Sequence, residues 1–308
     1  MTPVIIDTDP GIDDAIALLY ALRQPDLHVL ALTTVAGNIG LPVTTDNAAR
    51  LAALAGRTVP VHPGAAAPLA RAAEPEVAIH GSDGLGGVVL PKARLGASRH
   101  GAVTALSDLL MQAPPKTIEL HCLAPLTNIA QLLQHTPDVA GRIKRLIVMG
   151  GAVATRGNFG PGQRAEFNLG QDPDAAAIVL HAGLDLTLIP LDATRQLRAD
   201  ATYVAALRAA ATPRATTCAD LIDAYFGANE DRESRPLHDP CVPLLALHPD
   251  LFRVETRLLQ VEPGTGALID GPHPVQVAMG LDAAALRARL LAGLATAGSP
   301  EAGTGAAC

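Results

Sequence analysis

Three lysines, Lys92, Lys116 and Lys144, are all that this chain of 308 residues carries, and its formal net charge is −7. A protein that grips nucleic acid neutralises phosphates with clustered basic side chains, so this shortage argues against a phosphate backbone as partner. No apolar run reaches the ~18 residues that a membrane helix needs, so no membrane partner is expected. The start of the chain shows no basic stretch followed by a cleavable apolar segment, so no secretory signal is expected either. Cysteine is equally thin: Cys122, Cys218, Cys241 and Cys308 lie far apart and form no C-x-x-C pair. That spacing fits buried thiols in a reducing compartment rather than a disulfide framework or a zinc site, and makes the cytoplasm the expected location.

What the chain does have is a globular balance, 49% hydrophobic and 17% charged residues, with length for one large α/β domain or two smaller ones. It also has an unusual opening, "TPVIIDTDPGIDDAIALL", which sets Asp7, Asp9, Asp13 and Asp14 within eight positions directly after an apolar run. Crowded like charges raise one another's pKa and oppose the compact state. No lysine is interspersed, so something else must neutralise them.

Short, unalternating runs rich in Val, Ile and Leu read as buried parallel strands: Val4–Ile6, Leu27–Val35, Val59–Val61, 117–123, 145–151 and 184–192. Between them lie helical stretches beginning at Asp13, in "TTDNAARLAALAG", in "PLTNIAQLLQH" and in "DPDAAAIVLHAG". The βαβ order predicts an open, mostly parallel central sheet flanked by helices on both faces. Residues 199–248 read as mostly helical, 251–281 as further strands, and "LDAAALRARLLAGLA" as a closing helix. No repeat or linker divides the chain, so residues 1–297 are expected to form one domain. The small, polar remainder at 298–308 is expected to be disordered.

In such sheets ligands bind beyond the carboxyl ends of the strands, where Asp7 and Asp9 fall. Helix capping by Asp13 explains one or two of the acids, not four. A hard cation explains the cluster better, because zinc would call for His and Cys. Other strand ends offer companions: "HDP" at 238–240, "CLAPLTN" at 122–128, Asn38 closing "TTVAGN", and Glu166 and Asn168 in "AEFNLGQDPDAA". Amide and carboxylate side chains on such loops suit a polyhydroxylated ligand, since each hydroxyl wants both a donor and an acceptor. The ligand suggested is a sugar.

Taken in order, "DTDPGIDDA", "TTVAGN", "HGSDGLGG", "PLTNIA", "VMGG", "AEFN" and "HDP" resemble the calcium-dependent nucleoside hydrolases, over about residues 3 to 295. The resemblance implies a Rossmann-like fold, a dimer or tetramer, and hydrolysis of ribonucleosides to base and ribose. It implies Ca²⁺ held by Asp9, Asp14, Asp239 and the backbone carbonyl of Leu123, with Asp9 taking the proton of the attacking water and His238 serving as acid toward the base. Asp13, Asn38, Asn158, Glu166, Asn168 and the Met149 backbone match ribose-holding positions. His80 matches the base-side loop histidine, Phe167 is expected to pack near the sugar or base, and Tyr225 is counted with the substrate-binding residues. The chemistry is consistent with these residue types. Cleavage of an N-ribosidic bond builds positive charge on the sugar, and an imidazole of near-neutral pKa suits a departing base.

Departures bear on specificity. Relatives often carry two tyrosines before "HDP"; here Tyr225 is kept and Asn229 stands where the second would fall. A "THQ"-like segment reads Thr194-Arg195-Gln196, and the complete absence of tryptophan rules out the tryptophan sandwich of purine-specific members. His238 therefore points to the broad inosine–uridine or pyrimidine branch. Two rivals stay open at this point. "DTDPG" also resembles the nucleophile motif of haloacid-dehalogenase-type phosphatases, and a nucleoside-binding paralogue without catalysis would share the same residues.

Overall fold

The computed structural model describes residues 1–227 and 234–296. Asn229, Cys308 and the expected disordered segment 298–308 lie outside the described residues.

Strand β1 (Thr2–Thr8) shows why the apolar runs do not alternate. Val4 and Ile6 pack into one core cluster and Ile5 into another, on the opposite face of the sheet. Each fully buried aliphatic side chain contributes roughly 1.5–3 kcal/mol. The remaining strands are β2 (Leu27–Thr34), β3 (Val61–Pro63), β4 (Glu119–Cys122), β5 (Arg145–Met149), β6 (Leu186–Ile189), β7 (Arg198–Asp200), β8 (Ser234–Pro236), β9 (Phe252–Val261), β10 (Leu268–Asp270) and β11 (His273–Leu281).

Nine of these form one sheet in the order β3-β2-β1-β4-β5-β6-β11-β9-β10. The strands from β3 to β11 run parallel, β9 is antiparallel to β11, and β10 is antiparallel to β9. The expected open, mostly parallel sheet is what the chain builds. Helices α1 (Ile12–Ala21) and α2 (Leu41–Leu54) cover one face. After the short α3 (Val77–His80), α4 (Ala102–Gln112) and α5 (Thr127–His135) cover the other.

Several elements differ from the sequence-based expectation. β3 lies two residues later than expected, because Pro60 has no N–H to give and joins the edge only as an acceptor for Leu32. The helix expected from "DPDAAAIVLHAG" is preceded by a separate turn. α6 (Phe167–Gln171) and α7 (Pro173–Leu180) meet at Asp172, whose side chain caps α7 while Pro173 opens it. The strand expected at 145–151 ends at Met149 because Gly151 turns away with φ +82. After α8 (Leu191–Thr194), the helical stretch contains α9 (Ala201–Ala209), α10 (Pro213–Gly227) and α11 (Cys241–Leu247), with β7 and β8 pairing as a small antiparallel ribbon. Helix α12 (Ala283–Ala295) closes the layer over α1 and α10.

Two facts position the site. From β1 the chain winds outward to β2 and β3, then returns to place β4 on the other flank of β1. Loops leaving β1 and β4 therefore diverge, and a crevice opens between their carboxyl ends. No described helix is long and apolar enough to cross a membrane. Cys122, Cys218 and Cys241 are buried free thiols.

Candidate active site

Beyond β1 the chain must pass from strand to helix within three residues, and Asp14 organises that turn. One of its oxygens accepts from Thr8 Oγ1 at 2.6 Å and from the Asp9 N–H at 3.2 Å, and the other from the Gly11 N–H at 3.1 Å. Folding back from the first turn of α1, this carboxylate satisfies donors that the helix start leaves open. Asn38, from the loop after β2, adds a further donor to Asp14 at 3.2 Å. The same residue holds Asp9: its N–H donates to Oδ2 at 2.8 Å, and its side-chain amide to the Asp9 carbonyl at 3.1 Å. Such an approach requires Gly37, which has φ +38 and whose missing Cβ would fall 1.7 Å from Asp9 Oδ2.

Carboxylate oxygens of Asp13, Asp14 and Asp239, all buried, lie within 4.8 Å of one another and form a group that could hold a metal ion. Burial raises Asp13 to about 7, aided by the Asp14 charge. Asp239 is pushed well above the usual carboxylate range by burial and by the charges of Asp13, Asp14 and Asp9. Asp9 is pushed up by burial and by Asp14. The donor set is all oxygen and its charges are mutually frustrated, which fits a hard divalent cation. One detail departs from the sequence-based expectation: the convergent trio contains Asp13 in place of Asp9. Asp9 lies outside that trio, its Oδ2 accepting from the Asn38 N–H.

From β4 and β5 come two further strand ends, bracketed by one side chain. Asn168 Nδ2 donates to the Leu123 carbonyl at 2.8 Å and to the Met149 carbonyl at 3.1 Å. Asn168 is itself fixed because Glu166 caps α6, accepting from the Asn168 and Leu169 N–H groups at 2.9 and 3.2 Å and from Gly151 N–H at 2.9 Å. Despite these three donors, burial raises the Glu166 carboxyl to about 7. Asn158 is exposed, and its Oδ1 accepts from the Phe167 N–H at 2.9 Å. Phe167 in turn meets Phe159 edge to face, with centroids 5.5 Å apart.

Two histidines complete the site. His80 Nδ1 accepts from the Ile12 N–H at 3.1 Å, which fixes the ring as the Nε2–H tautomer, and burial lowers its pKa to about 4. His238 Nδ1 lies 2.7 Å from Thr194 Oγ1. The near-neutral imidazole expected at 238 is not what the structure has. Desolvation and the cations of Arg195 and Arg198 lower it to about 3, so the ring is neutral at physiological pH.

These groups share one cleft that opens to solvent. It is lined by Asp13, Asn38, His80, Leu123, Met149, Asn158, Glu166, Phe167, Asn168, Tyr225, His238 and Asp239. Asp9 and Asp14, buried to 1% and 0% exposure, lie behind this lining. Tyr225, on α10, receives the Arg235 guanidinium 5.4 Å from its ring centroid. Sequence reasoning missed two lining residues, Glu76 and Ile79, and gave Thr194 no tie to His238. Residues 70–100 are mostly irregular, so no periodicity marked the first pair. Thr194 is visible only as part of "TRQ".

Residues 4–288 match the family model for the inosine-uridine preferring nucleoside hydrolases. The chain is 36% identical over 294 residues to the non-specific ribonucleoside hydrolase RihC of Escherichia coli, covering 91% of this chain and 94% of that protein. An uncharacterised protein of Schizosaccharomyces pombe is 38% identical over 263 residues, 84% of each chain. Among solved structures, the purine-preferring ribonucleoside hydrolase from Gardnerella vaginalis superposes with a TM-score of 0.90 at 28% identity, over 96% of this chain and 98% of that one. A plant nucleoside hydrolase gives 0.88 at 29% identity, over 96% and 99%.

Proposed function

The chain belongs to the inosine-uridine preferring nucleoside hydrolase family and cleaves ribonucleosides to free base and ribose, and we propose how its own residues divide that work. The observation that carries the assignment of roles is the buried trio Asp13, Asp14 and Asp239 opening into a cleft walled by amides and carboxylates. Ca²⁺ is the cation that this oxygen-only set suits. Asp14, Asp239, Asp9 and the Leu123 carbonyl would hold it. When bound, the ion supplies Lewis-acid activation of a water molecule and offsets the crowded negative charge.

Everything else falls to the protein. Asp9 accepts the proton as the water oxygen bonds to C1′ of the sugar. Asp13, Asn38, Asn158, Glu166 and Asn168 receive the ribose hydroxyls, each as donor or acceptor, and the Met149 backbone closes the sugar pocket. As the C1′–N bond breaks, its electron pair goes to the base. The neutral rings of His238 and His80 offer N–H donors to the departing nitrogen heterocycle, His238 with Thr194 Oγ1–H donating to its Nδ1. Phe167, Ile79 and Tyr225 give the base apolar walls. With no tryptophan in the chain, a broad inosine–uridine or pyrimidine preference is the reading these walls favour. The phosphatase alternative falls, because the match to the nucleoside hydrolase family runs through residues 4–288.

Ribose release from uridine, cytidine, inosine, adenosine and uridine 5′-phosphate tests the reading. Free base and ribose should appear in equal amounts from the nucleosides. Phosphate release from the nucleotide without base release would overturn it.

A further inference from the structure

The cleft has a floor and a rim. Asp13, Asn38, Met149, Glu166, Asn168 and Asp239 form a buried floor. Glu76, Ile79, Tyr225 and His238 are only partly covered and form the rim. With the ribose seated on the floor, the nucleobase lies against the rim, and any role for the rim in base choice rests on that proposed seating.

Among the described residues, Glu76 is the carboxylate that the rim contributes. It is held in place by its backbone: its N–H donates to the Asn38 carbonyl at 2.8 Å. It immediately precedes α3, whose last residue, His80, is tied to the start of α1. Among the described residues no hydrogen bond or ion pair engages its side chain, whereas the neighbouring Glu166 has both oxygens occupied. Half-burial and the Glu74 charge raise its carboxyl above the ordinary range, as expected for an acceptor short of donors.

We propose that Glu76 is a specificity-determining residue that, within the broad preference proposed above, raises the standing of nucleobases bearing an exocyclic amino group, cytosine and adenine, relative to their oxo counterparts, uracil and hypoxanthine. An ionised carboxylate only accepts. An amino group satisfies it, while a carbonyl oxygen in the same place puts two acceptors face to face and strips both of water. Sites built around a polar group discriminate most strongly against the analogue that lacks its partner. Within a pocket whose other base-facing walls, among the described residues, are apolar or neutral, Glu76 is the charged acceptor that weighs toward the amino class.

Competition between cytidine and uridine, and between adenosine and inosine, gives the ratio of kcat/KM values in a single reaction, independent of how much enzyme is folded. In Glu76→Ala both amino-to-oxo ratios should fall about tenfold. In Glu76→Gln, which keeps the volume and adds a donor, they should fall in the same direction. Ratios that stay within threefold of the unaltered enzyme in both variants overturn the proposal, as does a shift toward the amino bases. Failure of the unaltered enzyme to release ribose from any nucleoside would instead strike the underlying reading, so the two failures are separable.

Discussion

Ile12 and His80 are joined by a hydrogen bond of 3.1 Å in which the first backbone N–H of α1 donates to the imidazole Nδ1. An imidazole that accepts from a helix start cannot carry a proton on the same nitrogen, so a loop histidine becomes a fixed neutral donor through Nε2. Gly11 makes the approach possible: a Cβ there would stand 2.6 Å from His80 Nδ1.

His80 should therefore remain the Nε2–H tautomer throughout the neutral range. Its pKa is lowered from 6.5 to about 4, so between those values the unfolded chain binds more protons than the folded one. Stability should accordingly rise with pH from about 4 to 6.5, and this contribution should vanish in His80→Gln. Imidazole ¹⁵N chemical shifts against pH check the tautomer. A ring that titrates near 6.5 in the folded protein would contradict the geometry.

Asp9→Asn should lower kcat on uridine by about 10²–10⁴-fold with the fold intact, because the proton acceptor is lost while the Asn38 contacts can persist. Turnover close to that of the unaltered enzyme would remove Asp9 from the role of base.

Divalent-ion affinity should climb between about pH 6 and 8. Asp13, beside the proposed ligands Asp14 and Asp239, is raised to about 7 by burial and by Asp14; a cation among them favours its ionised form, so binding expels a proton below that value. Calcium titration calorimetry in buffers of different ionisation enthalpy measures the protons released. In parallel, exhaustive EGTA treatment should lower Tm and abolish activity, since a ligand confined to the native state stabilises it. An unchanged Tm and activity would dissociate the acidic cluster from calcium.

Arg195 holds the segment that carries Asn158. Its guanidinium donates to Thr155 Oγ1 at 3.0 Å, to the Arg156 carbonyl at 2.5 Å and to the Gly157 carbonyl at 3.2 Å. Loosening that segment frees Asn158, which itself fixes the Phe167 N–H at the start of α6. Arg195→Ala should raise KM for uridine about five- to tenfold, the equivalent of roughly one hydrogen bond, with a smaller effect on kcat. A fall in kcat at constant KM would place Arg195 in the chemistry instead.

Much of this site is legible in the sequence, because its parts sit where a strand meets a helix. "VIIDTDPGIDD" states the end of β1 and the start of α1 in the same breath, and Leu123, Met149 and Glu166 also sit where elements end or begin. What stayed hidden depends on distant packing. α4 went unnoticed though it buries Leu106 and Leu110, and β7 and β8 are recognisable only once paired. The convergence of Asp13 and Asp14 with Asp239 joins acids far apart in the chain, which no local motif connects. The low pKa of His238 depends on Arg195 and Arg198, cations that no local motif connects to it.

The acidic trio draws two members from the first turn of α1 and the third from just before α11, late in the chain. During synthesis on the ribosome, the amino-terminal strand and helix emerge with their repelling acids long before Asp239 exists. Until that residue leaves the exit tunnel, the acidic cradle lacks a wall and a divalent ion would find only part of its ligands. A stalled or truncated product ending short of it should thus be a poor competitor for calcium and an easy substrate for proteases.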